Sequence, residues 1–225
     1  MKTLFSLIFY TLPLFVSAQV NKQEIDDSIK EIENYWKMKF SQKELTFIPP
    51  SVYYYNKENP ITTACGTSNA FYCGGSLSIA ISKDLLEVVQ NKYDFKVIRY
   101  IIAHEYGHSV QHQLQKSSIL SIDKELQADC LSGTFLFNIE KNKVTAEPTI
   151  NINTLWNLLS DFSEGNQGLK ILTDPQAHGD AQSRMRAFKT GYEIGSVNRC
   201  LKDYNIQQQS LNLIESIFDI FKKNK

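Results

Sequence analysis

Residues 97–113 carry the sequence VIRYIIAHEYGHSVQHQ, in which a mostly apolar run precedes two histidines spaced four residues apart. On an α-helix, positions i and i+4 lie one turn apart on the same face, so His104 and His108 can bind a single metal ion. The carboxylate of Glu105 lies beside the first histidine, where it can contact a water held by that metal. The apolar turns before His104 indicate a buried helix, which disfavours the alternative of two surface histidines.

A catalytic zinc site needs three protein ligands and one open position, so a third ligand must come from another part of the chain. His112 continues the spacing, but it would lie about 12 Å from His104 along a straight helix axis. Glu125 is the better candidate, because it lies on the next predicted helix and shares a helical face with Asp129. Asp129 would then accept the free ring N–H of a ligand histidine and fix its tautomer. The alternative for these two acidic residues is an ordinary charged helix face.

The rest of the chain predicts a mainly helical α+β domain with a small β portion. Short β-branched and aromatic runs predict strands over 45–48, 52–55 and within 71–81. We find no repeat or linker that divides residues 19–225, so they are expected to form a single domain. Apolar residues at helical spacing, with Asp123 and Asp180 as N-caps, predict helices over 25–36, 84–91, 95–113, 123–140, 155–162, 181–192 and 211–221.

The charge and hydropathy of the sequence limit the kinds of partner that the chain is expected to bind. It has 24 basic and 24 acidic side chains among 225 residues, so its formal net charge is zero. A balanced charge gives no electrostatic basis for binding nucleic acid or an anionic membrane surface. No apolar run after residue 20 is long enough for a membrane span, so none is expected in the mature chain.

The N-terminus has the pattern of a secretory signal peptide. Met1 and Lys2 precede a mostly apolar stretch over 4–16, and the small residues Ser17 and Ala18 follow it. We therefore expect cleavage after Ala18 and a secreted or periplasmic protein in an oxidising compartment. The alternative is a membrane anchor formed by an uncleaved N-terminus, because the apolar stretch is almost long enough to span a bilayer.

Several short motifs resemble those of the bacterial neutral zinc metallopeptidases and follow that family's order. They are Ala64-Cys65-Gly66, Phe71-Tyr72-Cys73, residues 103–111, the run Glu-Leu-Gln-Ala-Asp-Cys over 125–130, His178-Gly179, and Arg184 with Gly191-Tyr192. The resemblance implies a zincin-like peptidase with peptide or protein substrates. It also implies that His104, His108 and Glu125 bind Zn2+ and that Glu105 is the catalytic base. The chain departs from the family after the second cysteine, where Gly74-Gly75-Ser76 replaces a proline and an acidic residue.

The four cysteines allow three pairings. Cys65 and Cys73 are close enough in sequence for a tight loop or hairpin to join them, which leaves Cys130 for Cys200. The rival interpretation makes Cys130 a zinc ligand, but it lies roughly 140° around the helix from Glu125. We therefore predict two disulfides.

His178 is a candidate catalytic residue outside the metal motif. It follows Asp174 and Pro175 and precedes Asp180, so a loop would hold it at the start of a helix. From there its ring can donate to the oxyanion of a tetrahedral intermediate, with Arg184 as a second donor or as an anchor for either aspartate. The alternative is a loop histidine that bonds to backbone.

These features predict a zinc-dependent peptidase that hydrolyses peptide bonds by a metal-activated water, with Glu105 as general base. The competing hypothesis is a zinc-bearing binding or regulatory module without catalytic turnover. Glu105 argues against that module, because a structural zinc site does not need a carboxylate beside its first ligand.

Overall fold

The computed structural model describes residues 22–56, 65, 69–115, 121–142, 150–162 and 179–203. Helices dominate these residues and a small three-stranded sheet accompanies them, which confirms the predicted α+β class. The predicted signal peptide and the predicted helix over 211–221 lie outside the described residues. The helices are α1 (Lys22–Ser41), α2 (Lys83–Lys92), α3 (Lys96–Gln113), α4 (Ser121–Asn142), α5 (Ile152–Phe162), α6 (Ala181–Ile194) and α7 (Val197–Asp203). The strands are β1 (Ser51–Tyr55), β2 (Ala70–Cys73) and β3 (Ser78–Ser82).

The sheet has the strand order β1-β3-β2, so the last strand in the chain is central. β2 and β3 pair in antiparallel fashion, with Ala70 opposite Ile81. β1 pairs with β3 in parallel, with Ser51 opposite Ser78. All five residues of β3 are buried, which is expected of a strand with neighbours on both sides.

The predicted strand over residues 45–48 is wrong, because this segment has no regular structure. Leu45 and Ile48 are 47% and 54% exposed, so Phe47 is the one apolar side chain of this run that is buried. The backbone of Ile48 pairs with a side chain instead of a strand. Its N–H donates to Gln113 Oε1, and its carbonyl accepts from Gln113 Nε2, both at 2.9 Å.

The helix predictions that fall on described residues agree closely with the structure, which also has one helix that was not predicted, α7. The apolar residues that recur at helical spacing along α1, among them Ile25, Ile32 and Trp36, pack into the core. The apolar first half of α3 is also mostly buried. Asp180 caps α6 as predicted, because its carboxylate accepts the Ser183 N–H at 2.9 Å. Asp123 lies in the first turn of α4 and does not cap it, because the helix begins earlier, at Ser121.

α4 and α6 cross with their backbones in contact. A Cβ atom added to Gly191 would lie 1.9 Å from the carbonyl oxygen of Cys130. One added to Gly133 would lie 2.3 Å from the carbonyl oxygen of Phe188. No side chain fits at such distances, so glycine at both positions allows this close crossing.

Both predicted disulfides are present. Cys65 pairs with Cys73 at the end of β2, and Cys130 of α4 pairs with Cys200 of α7. The interpretation of Cys130 as a zinc ligand is therefore wrong, because its sulfur is in a disulfide. None of the helices that the structure describes has the length and apolar character needed to cross a membrane.

Candidate metal centre

Two histidines of α3 and one glutamate of α4 meet at a single point. His104 Nε2 lies 3.2 Å from Glu125 Oε2, and His108 Nε2 lies 3.3 Å from Glu125 Oε1. One ligand atom from each of the three residues lies within 4.8 Å of the other two. The two distances to Glu125 are close to the separation of about 3.4 Å between ligand atoms that lie about 2.1 Å from a tetrahedral zinc ion.

Small residues at the crossing of α3 and α4 bring these ligands together. Gly107 packs against Ala128, and a Cβ added to Gly107 would lie 3.0 Å from the Ala128 Cα and 3.1 Å from its carbonyl oxygen. Gly107 precedes His108 directly, and Ala128 is about one turn from Glu125. The close crossing therefore sets the distance between the histidines and the glutamate.

The second ring nitrogen of each histidine faces a hydrogen-bond acceptor. His104 Nδ1 lies 2.8 Å from Asp129 Oδ1, and His108 Nδ1 lies 2.9 Å from Gln111 Oε1. Gln111 is itself held in place, because its Nε2 donates to the carbonyl of Lys124 at 2.7 Å. Each Nδ1 therefore has an acceptor for its proton, which leaves Nε2 as the ring nitrogen that can bind a metal ion in place of its own proton.

Asp129 is the centre of a buried hydrogen-bond network. Arg184 of α6 donates from Nε to Oδ2 at 2.8 Å and from Nη2 to Oδ1 at 2.9 Å. Tyr100 of α3 donates its hydroxyl to Oδ1. Burial raises the pKa of Asp129, but Arg184 and His104 outweigh burial and hold this pKa below its ordinary value. Asp129 is therefore an ionised acceptor at neutral pH.

The carboxylates around the two histidines favour a positive charge at this point of the molecule. Burial lowers the pKa of His104, but the carboxylates of Asp129 and Glu125 outweigh burial and raise it to about 10. Burial also lowers the pKa of His108, but the carboxylates of Glu125 and Glu105 outweigh burial and raise this pKa. Carboxylates that stabilise positive charge on these rings would equally stabilise a divalent metal ion.

Glu105 has a carboxylate oxygen that no described residue satisfies. The residue is only 6% exposed, and its buried Oε2 has no hydrogen-bond partner within the described part of the chain. A buried carboxylate oxygen without a hydrogen bond is energetically unfavourable. This oxygen is therefore suited to accept a hydrogen bond from a molecule that is not part of the protein. The donor set and this oxygen together fit a catalytic zinc site.

Among the described residues, His112 and Arg184 do not join the ligand group. His178 and Asp174 lie outside the described residues. His112 lies beside the sheet, with its Nδ1 2.8 Å from the hydroxyl of Tyr72. Arg184 pairs with Asp129, so it does not anchor the capping residue Asp180 as suggested from the sequence.

Sequence reasoning missed the contributions of Gln111 and Tyr100. Gln111 follows His108 by three positions and Tyr100 precedes His104 by four, so helical spacing carries a signal for both. The contact between Asp129 and Arg184 joins residues 55 positions apart and has no such local signal.

Comparisons with known proteins identify relatives over most of the chain. A family model described as "Putative neutral zinc metallopeptidase" matches residues 16–202. The uncharacterized protein YpfJ of Escherichia coli K12 is 26% identical over 193 residues, which cover 75% of this chain and 66% of that protein. An uncharacterized protein of Mycobacterium tuberculosis H37Rv is 26% identical over 170 residues, which cover 62% of this chain and 58% of that protein. No solved structure matches the chain significantly.

Proposed function

The chain belongs to this family of neutral zinc metallopeptidases, and we propose that it is a zinc-dependent peptidase that hydrolyses peptide or protein substrates. The proposal is carried by the convergence of His104, His108 and Glu125, with a buried and unpartnered carboxylate oxygen on Glu105 in the same helix. A bound zinc ion would act as a Lewis acid and lower the pKa of a water ligand to about 7.

The side chains of the site have separate tasks in this proposal. His104 and His108 offer Nε2 as ligands, because hydrogen bonds to Asp129 and Gln111 hold the proton on Nδ1. Glu125 offers a carboxylate oxygen as the third ligand. Glu105 takes a proton from the attacking water and passes it to the nitrogen of the departing amine.

His178 is proposed to donate to the oxyanion that develops on the scissile carbonyl. Residues 1–18 are proposed to form a signal peptide cleaved after Ala18, and residues 19–225 to form one exported peptidase domain. The two disulfides support export, because disulfides persist in oxidising compartments.

The proposed function is tested by comparing zinc-loaded wild type, Glu105→Gln and Glu87→Gln on a broad peptide library. We expect Glu105→Gln to lower kcat/KM by about 10²–10⁴-fold, because glutamine cannot accept the proton. Zinc content and thermal unfolding should not change, because Glu105 is not among the proposed ligands. Glu87 is exposed on α2 and provides a matched control for the same substitution.

Two outcomes would contradict the proposal. A zinc-loaded wild type that cleaves peptides no faster than Glu105→Gln would favour a zinc-bearing binding or regulatory module. A purified wild type that holds no zinc would contradict the metal site itself.

A further inference from the structure

A buried arginine reaches the metal centre from outside the proposed ligand helices. Arg184 is 7% exposed, and its guanidinium lies within hydrogen-bond distance of Asp129 and Tyr100. Its Nη2 also lies 3.4 Å from His104 Nδ1. A buried guanidinium is costly unless it is paired, so the number of its polar contacts calls for an explanation.

We propose that Arg184 is a positioning residue, which fixes the Asp129 carboxylate and thereby holds His104 with Nε2 directed at the metal. The inference rests on the proposed zinc site. It adds a third helix, α6, to the elements that define that site.

The hydrogen-bond geometry supports this role. Nε and Nη2 of Arg184 bond the two different oxygens of Asp129, so the planar guanidinium fixes the rotation of the planar carboxylate. One of these oxygens, Oδ1, is the atom that faces His104 Nδ1 at 2.8 Å. Any rotation of the carboxylate would therefore move the acceptor that orients the imidazole.

The backbone of Arg184 is held firmly enough to transmit this constraint. Asp180 caps the first turn of α6, and Gly191 lies against the carbonyl oxygen of Cys130 on α4. Because Asp129 precedes Cys130 directly, the close crossing fixes the backbone of the carboxylate relative to that of the arginine.

A positioning role and simple charge neutralisation predict different effects when lysine replaces Arg184. The Arg184→Lys variant keeps the positive charge, but its single nitrogen cannot bond both carboxylate oxygens in a planar fork. If Arg184 only balanced the charge of Asp129, lysine would serve equally well.

The test measures zinc dissociation constants by chelator competition for wild type, Arg184→Lys, Asp129→Asn and the double variant. We expect Arg184→Lys to weaken zinc binding about 10–100-fold, as is usual when the partner of a ligand histidine is disturbed. The double variant should bind zinc no more weakly than Asp129→Asn alone, because Arg184 acts through Asp129. Arg186→Lys is the matched control, since Arg186 is exposed on the same helix.

Each remaining outcome is decisive. A folded Arg184→Lys protein with wild-type zinc affinity would overturn the inference, and so would additive losses in the double variant. A purely structural role would lower the thermal stability of the zinc-free protein but leave the zinc affinity of the folded protein unchanged. Arg184→Gln, whose side chain can still donate to Asp129 but carries no charge, is the second variant should Arg184→Lys not fold, and the same loss of zinc affinity is expected.

The experiment also separates this inference from the proposed function, because it needs no peptide substrate. A wild type that binds no zinc would overturn both. If wild type and Arg184→Lys bind zinc equally tightly, only the positioning role is overturned.

Discussion

The candidate metal centre and the three-stranded sheet use hydrogen bonds in different ways. At the candidate metal centre most of the bonds join side chains, and those from Tyr100, His104 and Arg184 all end on the Asp129 carboxylate. In the sheet the bonds that join the strands come from the backbone. The tyrosines of β1 and β2 are mostly half-buried, with only Tyr55 fully buried.

This difference shows how much each region depends on particular residues. Backbone bonds in a sheet form with almost any side chain, whereas a side-chain network requires each partner at a fixed distance. The close contacts of Gly107 and Gly191 provide those fixed distances at the metal centre. We therefore expect matched changes to cost more at the metal centre than at the sheet.

The disulfides should show the largest difference between the two regions. Replacing Cys130 and Cys200 by alanine removes a disulfide beside Asp129 that joins residues 70 positions apart. Replacing Cys65 and Cys73 by alanine removes a disulfide at the sheet that joins residues 8 positions apart. From loop-closure entropy we expect losses of about 4 and about 2.5 kcal/mol in the free energy of unfolding. Urea titration of the zinc-free variants measures both. Equal losses would show that the link at the metal centre has no greater effect than the one at the sheet.

Added methyl groups provide the next comparison. Gly191→Ala places a Cβ 1.9 Å from a backbone oxygen of α4, so the helices must separate. We expect it to lower the free energy of unfolding by about 3 kcal/mol, because neither backbone can move without disturbing the core. The matched control is Gly75→Ala, which meets nothing within 4 Å and should change stability by less than about 0.5 kcal/mol. A Gly191→Ala protein as stable as the control would contradict the close crossing.

Removal of single hydroxyl groups should have the smallest effect. Tyr100→Phe deletes a buried donor to Asp129, and we expect it to lower the free energy of unfolding by about 1–2 kcal/mol. Tyr72→Phe deletes the contacts of a half-buried hydroxyl with the exposed His112 and with Ser109, and water can replace the contact with His112, so a smaller loss, below about 1 kcal/mol, is expected. Thermal unfolding of the two variants compares these losses. A greater loss for Tyr72→Phe would reverse the ranking of the two regions.

The sequence was most informative where structure depends on neighbours along the chain. The spacing of apolar residues within α1 and within α3 predicted both helices. The spacing of His104 and His108 predicted that both rings lie on one helical face. Asp180 has a side chain suited to helix capping, and it caps α6. These features follow from helical geometry, which a single sequence shows directly.

Features that depend on distant parts of the chain were not predictable in this way. Residues 45–48 have the composition of a strand, but the side chain of Gln113 takes the place of a neighbouring strand. Nothing near Arg184 in the sequence indicates that its partner is Asp129 and not Asp180. Only the close crossing of α4 and α6 decides between these two carboxylates.

The contact between Asp129 and Arg184 also bears on the order in which the protein folds. The two residues are 55 positions apart, so the ends of a long loop must meet before the pair can form. A chain emerging from the ribosome has already made His104, His108 and Glu125 before it makes Arg184. Until α6 docks, the carboxylate that orients His104 lacks its arginine partner, so the pair that fixes its rotation cannot form before the ends of this loop have met.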